Sequence, residues 1–136
     1  MGSFVLDCSM TMAWCFQDEA TPRTNSVRSS LTKNSAIVPT VWCLEVINVL
    51  LVAEQRKRMS KTDSITFLSF LKELPIEIET EHPSMSHENI MELGRKHALS
   101  SYDAAYLDLA LRKTVPLATL DTKLQAIAKK LDVQVI

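Results

Sequence analysis

The stretch SSYDAAYLDLAL, residues 100–111, decides which fold this sequence predicts. Nearly all of its residues are apolar or small, and it contains no lysine or arginine, which is typical of a buried helix. Asp103 lies at the same helical angle as Leu107 and Ala110, so the helix carries a carboxylate on its core-facing stripe. A partly buried carboxylate has to be paired, protonated or bound to a metal ion. The sequence therefore predicts that another group neutralises Asp103.

Short apolar segments alternate with helical patterns on both sides of this helix. We predict strands at residues 4–7, 35–39 and 76–80, within 115–121 and at 133–136. Further helices are predicted at 24–33, 41–56, 60–73, 87–97, 101–113 and 122–131, and the helix at 60–73 begins with SKTD, which has the form of a capping box. A first helix, SMTMAWCFQDEA, is predicted over residues 9–20 with Ser9 as its cap. This alternation indicates βαβ units and an α/β fold, in which a mainly parallel sheet of about five strands lies between helices in one domain, residues 1–136.

Composition and charge exclude several classes of protein. The chain has 136 residues and a formal net charge of −1, so any attraction to nucleic acid has to be local. The three cysteines, Cys8, Cys15 and Cys43, form no Cys-x-x-Cys pair, which favours reduced thiols and a cytoplasmic protein. We see neither a signal peptide nor an apolar run that is long enough for a membrane span, so no membrane partner is expected.

Three further acids, like Asp103, lie where the sequence predicts a cleft or a buried helix face. Asp7 ends the first predicted strand and Asp121 follows the fourth, and clefts of parallel α/β sheets lie beyond the carboxyl ends of the strands. Glu45 lies in the apolar helix VPTVWCLEVINVLLVA, on a face that it shares with Val49 and that we expect to be buried. These four acids are the candidate functional residues.

Basic residues are placed unfavourably for pairing with these acids. None precedes Arg23, none lies between Lys33 and Arg56, and none lies between His97 and Arg112. Several carboxylates within about 4–6 Å of one another cannot all stay ionised without a cation. A hard divalent ion resolves this conflict, because oxygen-only ligands favour Mg²⁺ or Mn²⁺.

A structural alternative stays open for each acid alone. Asp7 and Asp121 could cap the helices that follow them, and Asp103 could occupy the first turn of a helix capped by Ser101. Glu45 fits this alternative poorly, because it lies a full turn inside an apolar helix.

Other acids have simpler explanations than a functional site. Asp108 has Arg112 four residues later, which predicts a surface ion pair. Glu77 and Glu79 fit the polar face of an edge strand.

Four segments together resemble a known family. They are FVLDCS, VPTVWCLEVINVLL, SSYDAAYLDLAL and PLATLD, and they resemble the PIN domain, in particular the VapC-type ribonuclease toxins of prokaryotic toxin–antitoxin pairs. The resemblance implies a three-layer α/β/α PIN-like fold and a metal-dependent endoribonuclease site. Carried over residue by residue, it assigns the catalytic and metal-binding acids to Asp7, Glu45, Asp103 and Asp121. It places Ser9 and Thr119 near the metal, and Asn48, one turn after Glu45, is a plausible supporting group.

The mechanism that follows is hydrolysis of an RNA phosphodiester with one or two Mg²⁺ or Mn²⁺ ions. Asp7, Asp103 and Asp121 are the preferred ligands, and Glu45 binds through water or orients the nucleophile. The resemblance also implies a cognate antitoxin and favours a homodimer. Basic residues that could neutralise RNA phosphates, or could simply be cations at helix C-termini, are Arg56, Lys57, Arg58, Lys123, Lys129 and Lys130.

Alternatives of other classes remain. A haloacid-dehalogenase-like phosphatase needs a second aspartate where this chain has Ser9, and zinc spacing is absent at His82, His87 and His97. A solitary PIN-like nuclease that acts on other nucleic acid would use the same acids. A non-catalytic binding module could receive an arginine from a partner at those acids.

Overall fold

The computed structural model describes residues 2–80 and 86–136, and its sheet is entirely parallel. His82 therefore lies outside the described residues. The order across the sheet is β3-β2-β1-β4. The strands are β1 (Ser3–Leu6), β2 (Ser35–Val38), β3 (Ile76–Ile78) and β4 (Leu117–Ala118).

Within the described residues the sheet has four strands, where the sequence predicted about five. Residues 133–136, predicted as the fifth strand, contribute an isolated parallel bridge between Val135 and Leu117. Two hydrogen bonds hold this segment beside β4, from Leu117 N to Gln134 O at 2.8 Å and from Ile136 N to Leu117 O at 3.0 Å. The segment therefore extends the sheet edge without forming a ladder.

Seven α-helices alternate with the strands in the described part of the chain. They are α1 (Cys8–Met12), α2 (Pro22–Ser30), α3 (Val41–Gln55), α4 (Lys61–Lys72), α5 (Ser86–His97), α6 (Ser101–Lys113) and α7 (Thr122–Lys130), with a 3-10 turn at Gln17–Glu19. The predicted capping box before α4 is present, because Ser60 and Asp63 exchange side-chain and backbone hydrogen bonds. None of these helices is both long and apolar enough to cross a membrane.

The first helix differs from its prediction at both ends. Asp7, not Ser9, is its N-cap, because Asp7 accepts a hydrogen bond from the backbone N–H of Met10. The helix ends after five residues, although a longer helix was predicted. A tertiary contact accounts for this end, since the Trp14 indole N–H donates to the carbonyl of Thr24 in α2 at 2.9 Å.

The core lies on both faces of the sheet, as expected for parallel strands. Val5 and Leu6 of β1 and Leu117 of β4 are fully buried. On α6, five consecutive residues from 106 to 110 are buried, because this helix packs against β1 and also contacts α5 and α7. The central position of α6 fixes the position of Asp103 in its first turn.

Three predictions about side-chain burial are corrected. Asp108 does pair with Arg112, at 2.8 Å, but Asp108 is buried, and Arg112 also binds the buried Glu79. Of the two acids predicted on the polar face of an edge strand, Glu77 lies in β3 and is exposed, whereas Glu79 follows β3 and is buried. On α3 the buried residues are Trp42, Val46, Leu50 and Ala53, so the face that carries Glu45 is half-buried instead of buried.

Candidate active site

The strand register brings Asp7 next to Thr119. β1 and β4 pair with Val5 opposite Leu117 and Leu6 opposite Ala118, and Asp7 N donates to Ala118 O at 3.1 Å. The chain moves from β1 to β2 on one side, and β4 lies on the other side of β1. The carboxyl ends of β1 and β4 therefore flank a point where the strand order reverses, which is where parallel α/β sheets bind ligands.

Asp7 is buried and held by three donors. Its Oδ1 accepts from the Ser9 hydroxyl at 2.7 Å and from Met10 N at 3.0 Å, and its Oδ2 accepts from the Thr119 hydroxyl. Burial raises the pKa of Asp7 to about 6, although the three hydrogen bonds lower it, and the charge of Asp103 raises it further. Asp7 is thus fixed in place and sensitive to nearby charge.

Ser9 and Thr119, the two hydroxyl residues predicted near the metal, both contact Asp7. The Ser9 hydroxyl also accepts from Leu120 N at 2.9 Å, and the Thr119 hydroxyl accepts from Asp121 N at 3.1 Å. The segment from Thr119 to Asp121 is therefore tied to the start of α1. The carbonyl of Thr119 accepts two hydrogen bonds from residues other than the four acids, from Arg23 Nη2 at 2.8 Å and from Gln125 Nε2 at 3.1 Å.

Asp103 lies half-buried in the first turn of α6. Ser100, not the predicted Ser101, caps this helix, because the Ser100 hydroxyl accepts from Asp103 N at 3.1 Å. Burial raises the pKa of Asp103, the charge of Asp121 raises it further, and Lys123 lowers it. The ammonium group of Lys123 itself donates to the carbonyl of Ala98 at 2.5 Å.

Glu45 is paired with a tyrosine instead of a cation. Tyr106 is 1% exposed, and its hydroxyl donates to Glu45 Oε1 at 2.6 Å. Burial raises the pKa of Glu45, the Tyr106 hydrogen bond lowers it, and the charge of Asp103 raises it. Burial and the charges of Glu45 and Asp7 raise the pKa of the nearby Cys8 thiol to about 12, so this cysteine stays protonated at neutral pH.

Tyr106 lies in the core and is not among the predicted site residues, so the sequence analysis missed its contact with Glu45. The signal that points to it is chemical, because a buried tyrosine hydroxyl usually has a hydrogen-bond partner and Glu45 was the other polar group on an apolar face.

Asp121 is the N-cap of α7, because its Oδ1 accepts from Leu124 N at 2.8 Å. The capping alternative is therefore confirmed for both Asp7 and Asp121. Capping engages Oδ1 in each residue and does not conflict with a second role for the carboxylate. Asn48 is exposed and lines a separate cavity of about 330 Å³ with Phe16 and Arg56, and its supporting role remains a prediction.

Asp103 interacts electrostatically with each of the other three acids. Its charge raises the pKa of both Asp7 and Glu45, while Asp121 raises the pKa of Asp103. Across residues 2–80 and 86–136, no salt bridge reaches any of the four acids. Within the same residues, no three acidic, histidine or cysteine side chains form a group close enough to enclose a metal ion.

This donor set suits a hard divalent ion in its chemistry, because it offers carboxylates that repel one another electrostatically and hydroxyl oxygens beside them. It is not a closed cage. Mg²⁺ is commonly bound through one or two carboxylates and retained water, together with substrate phosphate, so an open arrangement fits this ion better than it fits Ca²⁺ or Zn²⁺.

No family model matches this sequence, and no curated protein is significantly similar to it. Solved structures match at low identity. One is Mycobacterium tuberculosis VapC20, a sarcin-ricin loop cleaving toxin, with 12% identity, a TM-score of 0.64 and coverage of 91% of this chain and 94% of that chain.

Two others extend over the whole chain. VapBC2 from Rickettsia felis, solved bound to a DNA fragment from its promoter, has 11% identity and a TM-score of 0.65. The match covers 100% of this chain and 98% of that chain. FitAcB from Neisseria gonorrhoeae has 16% identity, a TM-score of 0.62 and coverage of 100% and 96%. At these identities the likeness is one of fold, and it confirms the predicted three-layer PIN-like fold of VapC-type proteins.

Proposed function

We propose that this chain is a metal-dependent endoribonuclease of the VapC type, the toxin of a type II toxin–antitoxin pair. The observation that supports this most is that four acids influence one another through Asp103 and lack a salt-bridge partner in the described parts of the chain, and two of them, Asp7 and Asp121, follow the strands that flank the switch point. A purely structural set of carboxylates would be expected to recruit cationic partners, as Asp108 and Glu79 do in this same molecule.

In this proposal Asp7, Asp103 and Asp121 hold Mg²⁺ or Mn²⁺. When bound, the ion supplies Lewis acidity that activates water and offsets the negative charge that develops on the phosphate. The Ser9 and Thr119 hydroxyls orient Asp7, and they leave its carboxylate ionised in the presence of a cation because each donates to it.

Glu45 acts on the attacking water. Its Oε1 is occupied by the Tyr106 hydroxyl, and we assign its Oε2 to accept a hydrogen bond from that water. A glutamate with a raised pKa is better suited to take up a proton at neutral pH than an ordinary one. Cys8 plays no nucleophilic part, because its thiol stays protonated.

RNA is the substrate class we favour, because VapC20 with the same fold is a sarcin-ricin loop cleaving toxin. Lys123 lies close enough to Asp103 to lower its pKa and is exposed, so it is the best-placed cation for a scissile-strand phosphate. Arg58 is a poorer candidate, since Asp18 and Glu19 already bind it.

A cognate antitoxin, a homodimer and a cytoplasmic location complete the proposal. The antitoxin is supported by the likeness to VapBC2, which was solved with promoter DNA. The homodimer is supported by apolar residues exposed along α3, namely Leu44, Ile47 and Leu51. Two other functions would use the same acids: a solitary PIN-like nuclease for other nucleic acid, and a non-catalytic module that receives an arginine.

The test is a cleavage assay with purified protein on total RNA and on single-stranded DNA, with Mg²⁺, Mn²⁺ or EDTA. We expect RNA to be cut with either metal and not with EDTA, and Asp103→Asn to abolish cutting. Asp132→Asn is the matched control, because Asp132 is exposed and has φ of 61°, a conformation that asparagine tolerates. DNA cleavage alone would favour the solitary nuclease, and no cleavage of either substrate would favour the binding module.

A further inference from the structure

We infer that Arg23 is a positioning residue for the proposed ion site, which it reaches through the main chain of Thr119. This inference rests on the proposed function. Arg23 touches none of the four acids by hydrogen bond in the described residues, and its partners are main-chain oxygens at the other end of the sequence.

One nitrogen of Arg23 makes both contacts. Nη2 donates to Thr119 O at 2.8 Å and to Ile136 O at 2.6 Å, so its two N–H groups each have an acceptor. These bonds span 96 and 113 residues of sequence. They join the start of α2 to the end of β4 and to the segment that lies beside β4.

Hydrogen bonds to the neighbouring residues fix the backbone at Arg23. Arg23 is the second residue of α2, whose N-terminus is closed by a capping box between Thr21 and Thr24. The Trp14 indole N–H fixes the carbonyl of Thr24 at 2.9 Å. A cation in the first turn also opposes the helix dipole, so helix stability does not explain an arginine here, whereas the two tertiary bonds do.

The route from Arg23 to the acids has one intermediate. Fixing the carbonyl of Thr119 fixes the orientation of that residue, and its hydroxyl donates to Asp7 and accepts from Asp121 N. Thr119 is fully buried, so it has little room to readjust if the carbonyl is released. Arg23 thereby sets the relative placement of Asp7 and Asp121, two of the proposed ligands.

A purely structural role makes a different prediction. If Arg23 only anchors residues 133–136, its loss would lower stability and leave the ion affinity of the folded protein unchanged. Ion affinity therefore separates the two roles. Partners that orient metal ligands typically contribute about 10–100-fold in affinity.

The experiment measures Mn²⁺ affinity by the EPR signal of free Mn²⁺, with the full chain well below its unfolding temperature. We expect Arg23→Met to weaken Mn²⁺ binding by about tenfold. Arg23→Lys should recover part of the loss, because lysine still donates to a carbonyl. Arg28→Met is the matched control, since it removes an exposed arginine from the same helix, and should bind Mn²⁺ as the unaltered protein does.

A double-mutant cycle tests the route. Thr119→Val removes the hydroxyl, and if Arg23 acts through it, Arg23→Met should weaken Mn²⁺ binding no further in the Thr119→Val background. Unchanged affinity in Arg23→Met, or fully additive losses, would overturn the inference while leaving the proposed function intact.

If the unaltered protein binds no Mn²⁺, the proposed function fails and the inference fails with it. Should Arg23→Met not fold, Arg23→Lys is the variant that decides, and affinity equal to that of the unaltered protein together with a lower unfolding temperature would again overturn the inference.

Discussion

The hydroxyl of Tyr106 donates a 2.6 Å hydrogen bond to Oε1 of Glu45 across 61 residues of sequence. The bond joins α6 to α3. The charge of Asp103, which also lies on α6, raises the pKa of both Glu45 and Asp7. It leaves Glu45 without a cationic partner in the described ranges, yet fixes the direction of its carboxylate. The buried Tyr106 of α6 therefore orients the carboxylate of Glu45, a proposed catalytic acid.

The first prediction concerns Tyr106→Phe. Removing the hydroxyl keeps the buried ring and deletes the bond to Glu45, so we expect a stability loss of about 1.5 kcal/mol, typical of a hydrogen bond to a charged group. The pKa of Glu45 should rise, because the bond that lowers it is gone. The rate of RNA cleavage should fall at saturating substrate, with little change in the Michaelis constant.

Urea unfolding and cleavage kinetics measure these effects. The matched control is Tyr102→Phe on the same helix, because Tyr102 is 55% exposed and should tolerate the change. Equal turnover in Tyr106→Phe and Tyr102→Phe would show that the tyrosine pair is structural only.

The second prediction separates the functional from the structural role of Asp103. Asp103→Asn keeps the size of the side chain and removes a charge that repels three other acids. We expect cleavage to be abolished, while the metal-free protein is as stable as before or more stable. A residue that served only the helix terminus would instead lose about 1 kcal/mol of stability and retain activity. Cleavage at the unaltered rate with Mg²⁺ present would refute the site assignment.

The third prediction is a pH dependence that originates at Asp7. Burial raises the pKa of Asp7 to about 6 from its ordinary value of 3.8. Between these values the folded protein holds a proton that the unfolded chain has released, so this group favours folding most below about pH 4. Its contribution is lost as pH rises through about 6. A difference of about 2 pKa units corresponds to about 3 kcal/mol.

Unfolding in urea with EDTA at pH 4, 5, 6 and 7 measures this dependence. We expect the free energy of unfolding of the unaltered protein to fall over this range relative to that of Asp7→Asn, which has no carboxyl at this position to titrate. Mn²⁺ should offset the loss at pH 7, because a cation stabilises the ionised carboxylate. Parallel pH profiles for the two proteins in EDTA would contradict the assignment of this proton to Asp7.

Much of the fold could be predicted because its signals are local. Alternating strands and helices indicated the parallel sheet, and an acid directly after β1 was expected at its carboxyl edge. The resemblance to a known family, and no local signal, placed Ser9 and Thr119 near the site, and both donate to Asp7 in the structure, where Asp7 takes the helix-capping role predicted for Ser9.

The features that could not be predicted depend on tertiary contacts. Glu79 was expected on an exposed edge, and it is buried because α6 brings Arg112 over it. α1 ends early because Trp14 bonds to α2, and residues 133–136 meet β4 at one bridge only. Neither the partner of Tyr106 nor that of Arg23 lies within reach along the sequence.

The fourth prediction concerns the buried ion pairs of Arg112. Its Nη2 donates to Glu79 Oε1 at 2.6 Å, its Nη1 to Glu79 Oε2 at 3.1 Å, and its Nε to Asp108 at 2.8 Å. The side chains of Glu79 and Asp108 are only 6% and 4% exposed. Arg112→Met would leave both carboxylates in the interior without the guanidinium, and Lys113, at 3.7 Å from Glu79, replaces it only in part.

We therefore expect Arg112→Met to lower the free energy of unfolding by about 3–5 kcal/mol, as measured by urea denaturation at pH 7. Arg58→Met is the matched control: Arg58 also binds two acids, but its partner Asp18 is 75% exposed, so water replaces the lost pair and the change should be much smaller. Equal losses for both variants at pH 7 would mean that burial does not govern the strength of these ion pairs.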